Sequence, residues 1–228
     1  MSGLTYTLVM GLAKALTRLT CHVDAAALSR VPARGPLILT GNHINFLEVP
    51  LVYTHLLPRQ MTGLVKVESF QGPLAFFFKL ADGIPVHRGE GDAAAFRKSL
   101  AALEAGRILA IAPEGTRTGN GQLRAGLPGV ALLALRSGAP VQPIAYWGGE
   151  AFWPNLRRLR RTPFHIAVGP LWRVEAAGPV THAVRQAIAD EIMLQIAALL
   201  PPAYPGVYAG RVGEPPRYLR PAAAALGV

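Results

Sequence analysis

A chain of 228 residues with 51% apolar residues is the size of one large domain, or one domain with a small appendage, and has ample material for a single core. Lys and Arg number 23 against 13 Asp and Glu, a net charge of +10 that suits nucleic acid, anionic lipid or phosphate-bearing substrates, unless it is only a solvated Arg-rich surface. Cys21 is the only cysteine, which excludes an internal disulfide and a Cys-based metal site and makes a reducing, cytoplasmic setting the default.

Residues 4–19 read as an amphipathic helix, with Leu8, Leu12, Leu16 and Leu19 on one stripe and Lys14 and Arg18 off it. Two uses fit that stripe: capping the core of its own domain, or lying on a membrane. No basic region precedes its apolar stretch and no cleavage site follows, so a signal peptide is not expected. The uncharged run ends at Lys14, short of the roughly 20 apolar residues a bilayer crossing needs. Lys79 and Pro128 interrupt the other apolar stretches, so no spanning helix is expected.

From residue 36 onward, short apolar runs alternate with helical patterns. Residues 36–40, 61–65, 84–86, 108–112, 141–147 and 164–168 read as strands. Residues 92–105 read as a helix capped by Asp92, with Phe96, Leu100 and Leu103 on one face and Gly106 ending it. Residues 130–136 and 183–200 are further helices. This alternation predicts an α/β domain over residues 25–200, a largely parallel central sheet flanked by helices, preceded by an amphipathic segment over 1–24. In such sheets reactive groups gather on loops beyond the strand ends. After Leu200 the chain becomes Pro/Gly-rich, and residues 201–228 read as a tail wrapped on the surface or partly disordered.

Four stretches carry candidate chemistry. Directly after the first strand comes Gly41-Asn42-His43-Ile44-Asn45-Phe46-Leu47-Glu48. A turn into a helix, with Pro50 among its first positions, brings the Glu48 carboxylate near the His43 imidazole. A carboxylate on one ring nitrogen fixes the tautomer and leaves the other free to accept a proton, which makes a general base aimed at a hydroxyl. By itself a His at a strand end is more often a structural hydrogen-bonder. Asp82-Gly83-Ile84-Pro85-Val86-His87-Arg88 delivers an Arg to a strand end, where a guanidinium suits a phosphate, although a surface Arg without a role is the commoner case. Ala112-Pro113-Glu114-Gly115-Thr116-Arg117-Thr118 packs a Gly, two hydroxyls, a carboxylate and an Arg onto one loop, more than a solvated turn needs. Arg124 and Gly126 follow, adding another cation. Val141-Gln142-Pro143-Ile144-Ala145 places a Pro inside a strand pattern, which predicts an edge, a bulge or a strand start that shapes one wall of the site.

Taken together and in this order, His-x4-acid, GIPVHR, PEGTR and VQPI resemble the four-block signature of the lysophosphatidic acid acyltransferases and related glycerolipid acyltransferases. The likeness runs from about Asn42 to Gly148, and Lys66 and Glu68 fall where that family tends to carry a charged pair. The resemblance implies that His43 is the general base, that Glu48 orients it, that Arg88 binds the acceptor phosphate, and that Glu114, Gly115, Thr116 and Arg117 complete the acceptor pocket. It further implies no metal, no cofactor and no covalent acyl-enzyme, with acyl-CoA or an acyl carrier protein thioester as co-substrate. A lysophospholipid acceptor implies attachment to an anionic membrane surface, peripheral or monotopic and on the cytoplasmic face. The N-terminal helix and the basic stretch 157–161 (RRLRR), beside Phe152, Trp153 and Leu156, are the expected contacts.

Three positions depart from the family pattern: Glu48 stands for Asp, Asn45 for Ser and Ala112 for Phe. The extra methylene of Glu48 leaves two outcomes, a backbone adjusted to the longer side chain or a slack dyad. The alternatives to this acyltransferase are one for another lysolipid or glycolipid and a non-catalytic peripheral lipid binder. A nucleic-acid partner is not expected, since no such motif occurs and the His–Glu and PEGTR blocks would go unused.

Overall fold

The computed structural model describes residues 3–71, 75–87 and 91–222. In chain order these form α1 (Gly3–Thr20), β1 (Cys21–Asp24), β2 (Leu37–Gly41), α2 (Glu48–His55), β3 (Met61–Lys66), α3 (Ala75–Leu80), β4 (Ile84–Val86) and α4 (Ala93–Glu104). There follow β5 (Ile108–Ile111), α5 (Gly129–Ser137), β6 (Val141–Trp147), α6 (Phe152–Arg157), β7 (Thr162–Val168), β8 (Trp172–Val174), α7 (His182–Ala197) and β9 (Leu219–Pro221). Each strand expected from the sequence is present, its ends within two residues of the expected ones. Asp92 caps α4 as its position predicts, its side chain accepting from the Ala95 amide at 2.8 Å.

The strands join one sheet in the order β1-β7-β6-β2-β5-β3-β4. Strands β6, β2, β5, β3 and β4 run parallel, and β7 runs against β6 with β1 parallel to β7. Alternation along β2 and β5 divides the apolar side chains between the two faces. Leu37, Leu39 and Ile108 pack with Leu51 and Val52 of α2, while Ile38 and Leu109 pack with Leu103 of α4, Val130 of α5 and Ile188 and Ile192 of α7. Covered on both faces, β2 is buried throughout, as a central parallel strand must be. The chain leaves β2 for β3 and β4 on one side, returns through β5, and crosses to β6 on the other. The parallel order therefore reverses around β2, where crevices form at the carboxyl ends of the strands.

Pro143 departs from its expected setting. It lies within β6, a central strand paired to β2 on one side and to β7 and β8 on the other. The Pro143 carbonyl accepts from the Gly169 amide at 2.9 Å, in the joint where β7 has ended and β8 has not begun. The amide that Pro lacks would face the same joint, so no ladder bond is lost.

The leucine stripe of α1 faces outward. Leu8, Leu12, Leu16 and Leu19 are 53–72% exposed, whereas among residues 8–20 Met10 and Thr17 are the buried positions. Of the two uses read from the sequence, capping the core is therefore not the one this stripe serves. Residues 201–222 wrap onto the domain and contribute to it; the rest of the expected tail, 223–228, lies outside the described residues. Tyr208 is buried, its hydroxyl accepting from the Gly126 amide and donating to Asp190, both at 3.0 Å, and β9 pairs with β8.

The short helix α6 ends in a Schellman motif: the Arg160 amide donates to the Asn155 carbonyl at 2.9 Å and the Leu159 amide to the Leu156 carbonyl at 3.0 Å. The left-handed residue of that motif, ordinarily Gly, is Leu159 at φ 54°. A side chain there costs roughly 1–2 kcal/mol.

Candidate active site

The site is built at the carboxyl ends of β2, β5 and β6. Where the β2–β6 ladder ends at Gly41 and Ile144, the Asn42 side chain continues it, donating to the Tyr146 carbonyl at 2.9 Å and accepting from the Tyr146 amide at 2.8 Å. Asn42 is buried, so these bonds fix the backbone leading into His43.

The His43 main chain is held from the other side. Its amide donates to Glu114 Oε1 at 3.0 Å, and its carbonyl accepts from the Thr118 amide at 2.8 Å. The Ile44 carbonyl accepts from the Gly119 amide at 3.0 Å. The loop after β2 and the loop after β5 thus form one unit. Glu114 lies beneath it, 5% exposed, with its second oxygen accepting from the Arg124 amide at 2.8 Å. Burial raises its carboxyl above the usual value, against the lowering effect of the backbone amides of Arg124 and His43.

The His43 ring carries the contact expected from the spacing. Nδ1 lies 3.0 Å from Glu48 Oε2, with the His43 side chain 23% exposed and that of Glu48 5% exposed. Glu48 is the first residue of α2, where the helix dipole favours a carboxylate. The Asn45 amide donates to Glu48 Oε1 at 3.1 Å and Oε2 at 3.3 Å. Asn45 then spends its own side chain on both neighbours, accepting from the Leu47 amide at 2.8 Å and donating to the Gly149 carbonyl at 2.7 Å. With a carboxylate at Nδ1 the ring proton resides there, and Nε2 is left as a proton acceptor.

The remaining sequence candidates divide. Gly115 sits at φ +65°, and a Cβ there would lie 2.6 Å from Leu127, so the turn requires Gly. Thr116 is half-buried and Arg117 exposed on the same turn, and neither side chain has a polar partner among the described residues. Glu114, grouped with them by resemblance, turns inward instead. Both of its oxygens accept from the chain's own amides, and in that way it holds the loop. Arg88 lies outside the described residues; β4, which leads to it, pairs in parallel with β3 through Val86 and Lys66. Lys66 and Glu68 form an ion pair at 3.3 Å. Asn42 and Gly149 carry no site signal of their own in the sequence, since nothing in a sequence says which carbonyl a side-chain amide will reach. Among the described residues no three His, Cys, Asp or Glu side chains converge as a metal site needs.

Residues 22–147 match the family model described as Acyltransferase. Over 114 residues the chain is 36% identical to a lyso-ornithine lipid O-acyltransferase of Pseudomonas aeruginosa, covering 49% of this chain and 43% of that protein. Over 122 residues it is 28% identical to a 1-acyl-sn-glycerol-3-phosphate acyltransferase of Bacillus subtilis, covering 52% and 59%. The chain thus spans about half the length of the relatives it matches. The fold is similar to the crystal structure of the 1-acyl-sn-glycerophosphate acyltransferase PlsC of Thermotoga maritima, with a TM-score of 0.59 at 19% identity over 82% of this chain and 76% of that one. With the family model covering more than half of its length and ending at the last residue of β6, the chain belongs to the acyltransferase family.

Proposed function

We propose that this protein transfers a fatty acyl group from an acyl thioester to the free hydroxyl of a lysophospholipid, with lysophosphatidic acid as the first acceptor to test. The observation that carries this reading is the 3.0 Å contact between His43 Nδ1 and a buried Glu48, on a ring that keeps an accessible edge. Nε2 takes the proton of the acceptor hydroxyl as the oxygen attacks the thioester carbonyl. The C–S bond then breaks, and the leaving thiolate recovers the proton from the imidazolium. Glu48 stabilises the imidazolium while it exists. No acyl-enzyme forms, because no Ser or Cys nucleophile is needed. The donor is an acyl-CoA or acyl carrier protein thioester. Arg117, exposed at the mouth, and Arg88 supply cations for an anionic headgroup.

The acceptor resides in a bilayer, and the reading therefore includes attachment to its cytoplasmic face. Among the described residues no helix is long and apolar enough to cross a membrane. The outward leucines of α1 and the net positive charge support a protein lying on an anionic leaflet.

A second acceptor deserves a place in the same experiment. The relative with 36% identity is a lyso-ornithine lipid O-acyltransferase, against 27–28% for the two 1-acyl-sn-glycerol-3-phosphate acyltransferases. Purified protein offered both acceptors with each donor type, and read by mass spectrometry of the lipid product, distinguishes them. Acyl transfer abolished by His43→Ala is expected. Its absence with every acceptor and donor, by protein that still binds vesicles, would instead favour a lipid-binding role.

A further inference from the structure

Leu159 combines two unfavourable circumstances in water. It occupies the left-handed position of the Schellman motif, where Gly is preferred, and its side chain is 95% exposed. Trp153 and Leu156, on the helix that the motif ends, are 54% and 36% exposed. Arg157, Arg158 and Arg160 alternate with these apolar residues. They are exposed, and their side chains have no hydrogen-bonded or ionic partner among the described residues. Arg161 differs: its guanidinium donates to the Cys21 carbonyl at 2.6 and 3.2 Å, tying the turn to the end of α1.

The topology sets this turn beside the site. Because β7 runs against β6, its first residues extend past the carboxyl end of β6, with Trp147 opposite His165. Cys21 pairs with Thr162, so α1 ends there too. The contacts inward are direct. The Trp153 ring lies 5.7 Å from Phe46 and 5.1 Å from Phe152, and Phe46 meets Phe152 edge-on at 5.4 Å. Phe46 stands between His43 and Glu48 in the chain. The Asn45 bond to the Gly149 carbonyl clamps the same loop to the start of this segment. Gly148, at φ +87°, admits no side chain there, since a Cβ would lie 2.2 Å from the Pro163 carbonyl.

We propose that the turn from Trp153 to Arg160 is a second lipid-contacting element. Leu159, Leu156 and Trp153 enter the headgroup region of an anionic bilayer between three arginines, and the Trp153–Phe46 packing seats the His43 loop at that surface. The inference rests on the reading of the acceptor as a bilayer lipid. Charge complementarity and the aliphatic–aromatic tip favour a bilayer over an acidic protein. A single turn is also too small for a stable protein interface, which takes about 800 Å² per partner.

Leu159→Gly tests it in the full chain. Gly accepts the left-handed position, so the melting temperature is expected to hold or rise. Partitioning onto vesicles of phosphatidylcholine with phosphatidylglycerol is expected to fall about threefold to tenfold. Replacing Arg157, Arg158 and Arg160 by Gln should remove the advantage of anionic over neutral vesicles, most strongly at low salt. Leu159→Gly should raise the apparent KM for a vesicle-borne acceptor and leave turnover of a short-chain, monomeric acceptor unchanged. Vesicle binding equal to wild type for Leu159→Gly would overturn the proposal. So would unchanged vesicle binding with lost binding to an acidic acyl carrier protein, which would assign the turn to a protein partner. The vesicle measurement needs no turnover, so it stands even if no acyl transfer is found.

Discussion

Glu48 meets His43 from the first turn of α2, with Oε2 at 3.0 Å from Nδ1, and the same carboxylate accepts the amide of Asn45. The extra methylene relative to Asp, about 1.5 Å of reach, is taken up by a loop folded to suit it. Asn45 bends the chain by accepting from Leu47 and anchors it by donating to Gly149. Of the two outcomes that the sequence leaves open, the adjusted backbone is the one observed.

Glu48→Asp is therefore expected to lower kcat, by about 10- to 100-fold, because the shorter carboxylate no longer meets the ring. Glu48→Gln, at constant size, is expected to lower it as well, through loss of charge opposite the imidazolium. Steady-state kinetics decides, and a gain of activity on Glu48→Asp would refute the adjusted-loop account.

His43→Ala should reduce turnover by 10²–10⁴-fold, the range typical for loss of a sole general base. Vesicle binding and the melting temperature are expected to stay near wild type, since the ring is partly exposed and only its backbone bonds join the two loops.

Asn45→Ser keeps a short hydroxyl for the Leu47 amide but cannot reach the Gly149 carbonyl. A stability loss of about 1 kcal/mol is expected, together with a several-fold lower kcat as the loop loosens. Combining Asn45→Ser with Glu48→Asp should be less harmful than the sum of the two, because a looser loop lets the shorter carboxylate approach. Strict additivity in kcat would show that the two residues act independently.

Glu114→Gln places an amide donor against one of two backbone donors, those of His43 and Arg124, and is expected to cost about 1–3 kcal/mol. The pH dependence carries the sign. Burial raises the carboxyl, so the folded chain binds a proton there more readily than the unfolded chain. Its contribution to stability is then present at acid pH and is lost as pH rises through the raised pKa. The difference in melting temperature between wild type and Glu114→Gln should therefore narrow as pH increases from 4.5, the group's ordinary value.

Leu12 and Leu16 are 61% and 53% exposed, so replacing both by Ser should leave the unfolding free energy within about 0.5 kcal/mol of wild type. Vesicle binding should fall at every salt concentration, because apolar insertion is not screened. Binding unchanged by this pair would remove α1 from the membrane contact.

The parallel strands and the Asp92 cap were legible because buried strands are continuous apolar runs and caps are local. The His43–Glu48 pair was legible for the same reason, being a contact across five residues. Strands β1, β8 and β9 were not, since His22, Arg173 and Arg220 interrupt their short apolar runs and their pairing partners lie far along the chain. Burial of Tyr208 and Leu219 was hidden by the Pro/Gly-rich composition around them. The inward turn of Glu114 depends on two amides brought together only by the fold. Pro143 in a central strand could not be foreseen, because the joint between β7 and β8 that tolerates it is a tertiary feature.

The bond between Arg161 and Cys21 joins residues 140 positions apart. During synthesis at about 5–20 residues per second, the Cys21 carbonyl, at the first residue of β1, waits roughly 7–30 s for that guanidinium. Until then β7, the strand that β1 pairs with, has not been made. The membrane contact proposed for α1 would therefore be available before this edge of the sheet closes. On this schedule the β1–β7 edge closes only after every partner of the His43 loop, Glu114, Thr118 and Gly149, has been made.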